Sequence, residues 1–99
     1  MIKLTQVITT TVGVTRNDQD GPVVEKKHSF RDVWVNPRYV IKVEDDPVLN
    51  GDNERSPLVE GLDKRVGFSR IHISSNNYAT HFSAVGHPNM VVSKINSKD

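Results

Sequence analysis

Ninety-nine residues, a hydrophobic fraction of 35%, a net charge of +1 and no cysteine limit this chain to one small domain with a shallow core. The missing cysteine excludes disulfides, thiolate metal sites and a cysteine nucleophile. Near-neutrality gives little general attraction for nucleic acid, but the charge is uneven: Glu44 to Arg65 holds seven acids against three bases, a net of −4, which leaves +5 on the rest.

The first strand runs from Ile2 to about Thr11, with Ile2, Leu4 and Ile8 sharing a parity that Gln6 interrupts. Val12 and Val14 extend it past Gly13, a position for a bulge or bend. Because this start alternates, it lacks the apolar block of a signal peptide, and no run reaches the ~20 residues of a membrane span. The expectation is a cytoplasmic protein with no membrane partner. Arg16 to Pro22 is a loop by composition. Val23 to Phe30 fits either a short edge strand or more loop.

Asp32 to Pro37 is a second strand that stops at its proline, and Asn36-Pro37-Arg38 makes a tight turn. Tyr39 to Glu44 resumes the strand, with Ile41 and Val43 on one face, and Asp45-Asp46-Pro47 ends it. A mobile acidic loop follows at about residues 46–66, with room for a short helical turn. Phe68–Ser74 and Ala79–Val85 then form a hairpin. A two-residue turn at Asn76-Asn77 sets Ile71 opposite Phe82, Ile73 opposite Thr80 and His72 opposite His81. Ile71, Ile73, Phe82 and Ala84 face the core. Gly86 ends the strand, Pro88 fits a first helical turn, and Val91, Val92 and Ile95 cover the sheet.

The opening Met1-Ile-Lys-Leu-Thr5, the strand Val35-Asn-Pro37 running on to Ile41-Lys-Val-Glu-Asp-Asp-Pro47, and the closing hairpin with its Val/Ile helix resemble the FlbD-like family of small proteins. These occur in flagellar operons, and similar short proteins occur in bacteriophages. The likeness covers roughly half the chain. It departs at the loops 16–29 and 48–65, at the Asn-Asn turn where the family has glycine, and at Gly86-His87-Pro88 where the family has acids. The resemblance implies a compact β-unit with a regulatory or assembly role, and no catalysis to transfer.

Few constellations carry chemistry. His72 and His81, directly opposed, have Cβ atoms ~5 Å apart and form a polar pair or half of a metal site, with His87 or an acid as a third ligand. Ser74 or Ser83 beside these histidines has no nucleophile motif. The acids from Asp45 to Glu54 do not follow calcium-loop spacing, and the glycines form no phosphate cradle. Trp34 with Arg31, Arg38 and Lys42 is the best nucleic-acid patch, although Trp34 fits better as a core residue or an oligomer contact.

The expected fold is mostly β: a small antiparallel sheet or SH3/Sm-like half-barrel of four to five strands with a short C-terminal helix, in one domain over 1–99. The expected function is a non-enzymatic regulatory or assembly protein that needs no cofactor and acts by protein contact or self-association. If phage-encoded, it modulates a complex in the host cytoplasm. Its contact surface is drawn from Trp34, Arg31, Arg38, Lys42, Asp45, Asp46, Asp52 and Glu54. The alternative is a small nucleic-acid-binding barrel using the Trp/Arg patch.

Overall fold

The computed structural model describes residues 1–17, 21–76 and 78–97, and the backbone alone for 12–17 and 21–25. Its elements are β1 (Ile2–Asn17), β2 (Gly21–Val35), a 3₁₀ turn (Pro37–Tyr39), β3 (Val40–Asp45), α1 (Pro47–Arg55), β4 (Phe68–Ser75), β5 (Tyr78–Val85) and α2 (Pro88–Asn96). The five strands form one open antiparallel sheet in the order β2-β1-β5-β4-β3. The mostly-β class and the C-terminal helix are as expected. The sheet is open, and a second helix joins it.

Four residues, 36–39, join the two outermost strands. A flat five-stranded sheet separates its edges by ~19 Å, while this connection spans at most ~18 Å even fully extended. The sheet must therefore curl at that end. Curling brings Val33 and Val35 from one edge, and Val40 and Val43 from the other, into one apolar cluster with Ile2, Leu4, Ile71, Ala84 and Val91 of α2. Val7, Phe68 and Leu49 of α1 form a second cluster, with Phe30, Leu58, Leu62, Val66 and Val85. Consecutive Phe68 and Ser69 are both fully buried, which requires cover on both faces of β4.

The β4–β5 register is the one the turn dictates: Ile71 opposes Phe82, His72 opposes His81 and Ile73 opposes Thr80. Asn76 takes φ +51°, and Asn77 lies outside the described residues. The glycine bend in β1 is a bulge between Thr11 and Gly13.

Several expectations are corrected. A second bulge, between Val40 and Lys42, turns Ile41 outward, so Val40 and Val43 face the core while Ile41 is 66% exposed. Val91 and Ile95 pack on the sheet, but Val92 is exposed. The acidic loop begins as the nine-residue α1. Asp46 caps that helix through Leu49 N (3.2 Å), and Pro47 fits its first turn. On the inner side of α1, Asn50 Oδ1 accepts from Phe68 N (2.8 Å) and the buried Asn53 accepts from Leu58 N (3.1 Å) and donates to Asp63 O (3.0 Å). These bonds tie Leu58 and Asp63 to α1, and α1 to the start of β4.

Val23 to Phe30 belongs to β2. The described part of the expected loop, Arg16–Asn17 and Gly21–Pro22, continues the β1–β2 ladder, and 18–20 lie outside the described residues. Among the described residues β1 pairs with β5 only at Gln6↔Ala84 and Val7↔Ser83. Beyond Val7, β1 and β2 continue as a two-stranded ribbon to Asn17↔Gly21. The projection accounts for a radius of gyration of 15.7 Å, against ~13 Å for an ordinary domain of this size.

Candidate functional site

Beyond α1, on the face of β3, β4 and β5 that carries Phe68, lies a linked polar cluster. The Nε2–H of His72 donates to Glu44 Oε1 (2.8 Å), and Lys42 Nζ lies 3.2 Å from Glu44 Oε2. These partners, His72 first, hold the Glu44 carboxyl below the ordinary glutamate range. Arg70 stands between two acids, 3.9 Å from Glu44 and 3.8 Å from Asp46. Asp46, 3% exposed, accepts from the Ser83 hydroxyl at 2.6 Å. His81 stacks on His72 with ring centroids 5.5 Å apart and planes tilted by 37°.

This cluster is largely committed to itself. Ser83 donates its hydroxyl hydrogen bond to a buried carboxylate, and His72 is engaged by Glu44. Among the described residues no three histidine or acidic side chains converge as a metal site requires. The arrangement can join three strands to the cap of α1.

Two shallow grooves, of about 550 and 410 Å³, share Arg65, Val66, Gly67 and His87. The His87 ring lies directly on Gly67, where a Cβ would overlap it, and its Nε2–H points at the Arg65 carbonyl (3.3 Å). Asp45 and Glu54 line the larger of the two; Met90 and Val85 line the smaller, more apolar one. Asp63 binds Arg65 through both carboxylate oxygens, which holds the acid below its ordinary value and raises the guanidinium. Sequence reasoning missed Gly67 and Asn53; a buried polar side chain and a ring against glycine leave no periodic signal.

The expected contact residues differ in face and in burial. Register places Arg31 and Trp34 on opposite faces of β2. Arg31 donates to Gln6 Oε1 (3.2 Å), while Trp34 is 63% exposed and lies outside the core. Arg38 is exposed on the 3₁₀ turn, and Lys42 is on the opposite edge strand, beside Glu44. Asp46 is buried, and Asp52 pairs with Arg55 along α1.

The ribbon presents two unlike edges. The outer strand β2 carries Glu25, Lys26, Lys27, Arg31 and Asp32, the kind of charges that guard a free edge. From Ile8 to Thr15, β1 carries no charge and is rich in threonine and valine. Thr9 and His28 meet across the ribbon at 2.9 Å. With a single neighbour among the described residues, β1 leaves every other residue's backbone N–H and C=O unpaired along this edge.

Comparison with family models, with curated proteins and with solved structures gave no match. No helix among the described residues is long and apolar enough to cross a membrane.

Proposed function

We propose that this is a non-enzymatic regulatory or assembly protein that works by protein contact through the open strand edges of its ribbon. The observation that carries this reading is the end of the β1–β5 ladder at Val7, while β1 continues to Asn17. A two-stranded ribbon is marginal in water, and a further strand supplies the missing backbone bonds. The FlbD-like resemblance favours the same role, including that of a phage-encoded modulator of a host complex.

The test is capture from an extract of the native host. The intact chain is expected to retain a defined protein. A chain in which Asn-Gly joins Ile8 directly to Ser29 keeps the body and loses the ribbon, and is expected to retain none. Equal capture by both sinks the reading.

The exposed Trp34 supports a second reading, contact with single-stranded nucleic acid by base stacking. Gel-shift measurements at two salt concentrations decide it. Absence of binding at low salt removes it.

A further inference from the structure

We infer that the free edge of β1 at Ile8–Thr11 is a self-pairing edge, occupied by the same segment of a second copy of this chain. The inference rests on the contact reading above and names the partner. Three observations lead to it.

First, the edge is open by construction. The last β1–β5 pair is Val7↔Ser83, and the strand continues beyond it with β2 as its neighbour on the other side. Thr9, Thr10 and Thr11 are exposed.

Second, charge selects the occupant. The β2 edge would set Lys26 and Lys27 near their own copies, and like charges directly opposite destabilise a strand pair. Ile8–Thr11 has no charge to repel its copy and none to attract a charged partner strand. Threonine opposite threonine is a favourable cross-strand pair.

Third, the edge has a defined length. A two-fold axis perpendicular to the sheet pairs residues of one face antiparallel. With the axis at Thr10, Thr9 opposes Thr11 of the second copy, and Ile8 opposes its Val12. Val12 is the extra residue of the β1 bulge, where the strand bends before its ladder with β2 resumes at Gly13. The next residue inward, Val7, is already paired with β5. The bulge therefore turns the second ribbon away where β5 closes the edge. The product is a four-stranded ribbon, β2-β1-β1-β2, with the charged β2 strands outermost and above the marginal two-stranded level. So short a contact belongs with weak, transient interfaces under ~1,200 Å².

Sedimentation of the intact chain from about 10 μM to about 1 mM tests this, a range suited to weak association. The expected result is a concentration-dependent dimer. Thr10→Lys and Thr10→Asp each place like charges on the axis and should each weaken dimerisation about tenfold or more. Mixed together they should restore a heterodimer. Circular dichroism shows whether each variant is folded, and Thr10→Asp is the gentler change because Lys27 lies opposite it on β2. A wild type that stays monomeric at the top concentration overturns the inference, as do variants that dimerise like wild type or a mixture that stays monomeric. If a captured host protein protects the edge of a strictly monomeric chain, self-pairing falls and the contact reading stands.

Discussion

The Ser83 hydroxyl donates a 2.6 Å hydrogen bond to the Asp46 carboxylate, joining β5 to the cap of α1 across 37 residues of sequence. The same carboxylate accepts from Leu49 N and lies beside Arg70, so one buried acid serves helix, sheet and charge balance. Asp46→Ala should cost about 2–4 kcal/mol in urea unfolding, combining a lost cap with a lost charge-assisted bond. Ser83→Ala should cost about 1–2 kcal/mol, and a double-mutant cycle should show coupling of at least ~0.5 kcal/mol. Additive losses would mean that the bond contributes nothing.

The Glu44 carboxyl provides a pH signature. Its folded-state pKa is depressed, chiefly by the His72 hydrogen bond and then by Lys42. Its stabilisation is therefore fully present above the unfolded glutamate value and is lost as the pH falls through the lower folded value. Carbon-detected NMR should show Glu44 titrating below the ordinary range, and moving back toward it in His72→Ala. An identical Glu44 titration in the two proteins contradicts the pairing.

Gly67 and His87 should behave as one unit. A methyl group at Gly67 displaces the His87 ring, so Gly67→Ala should destabilise by about 1–2 kcal/mol. In a His87→Ala background the same substitution should cost less than half as much. An unchanged cost would place the strain elsewhere.

The β3 bulge predicts opposite outcomes at neighbouring positions. Ile41→Thr should change stability by less than ~0.5 kcal/mol, because the side chain already faces water. Val43→Thr should cost at least ~1 kcal/mol, because it places a hydroxyl in the cluster under α2. Thermal unfolding of both variants settles the register.

The ribbon should be dispensable for folding. Among the described residues, both apolar clusters draw on β1 at or before Val7 and on β2 at or after Phe30. Joining Ile8 to Ser29 through Asn-Gly should leave a cooperative fold and lower the radius of gyration toward ~13 Å in small-angle scattering. Loss of cooperative unfolding would show that the ribbon supports the body.

The sequence made the hairpin legible and the surface largely illegible, for physical reasons. At Asn76-Asn77 the turn and the alternation agree, and one slip would expose Phe82, so the register of β4 and β5 follows from pattern alone. Ile41 breaks its pattern through an inserted residue, and a bulge without glycine has no local signature. Asp46-Pro47 did carry a helix-start signal, a cap followed by proline at the first position. The polar run of Asn50, Asp52, Asn53 and Glu54 hid it, because Asn50 holds α1 to β4 and Asn53 holds the segment that follows, where apolar residues are usual. Val23 to Phe30 looked ambiguous because Lys26 on one face and Lys27 and Ser29 on the other are all exposed, so no alternation marks the strand. Of the candidate site, the His72–His81 opposition was readable. The ties from Asp46 to Ser83 and from Glu44 to Arg70 depend on strands brought together from distant segments.

Amide hydrogen exchange along Ile8–Thr11 tests the strand-edge account most directly. In dilute protein, amides bonded to β2 should be protected and the alternating, outward-facing ones should exchange freely. At high protein concentration, or with a captured partner bound, the outward-facing amides should slow by about tenfold or more. If they exchange at the same rate in all three conditions, the edge is not a contact surface and the account fails.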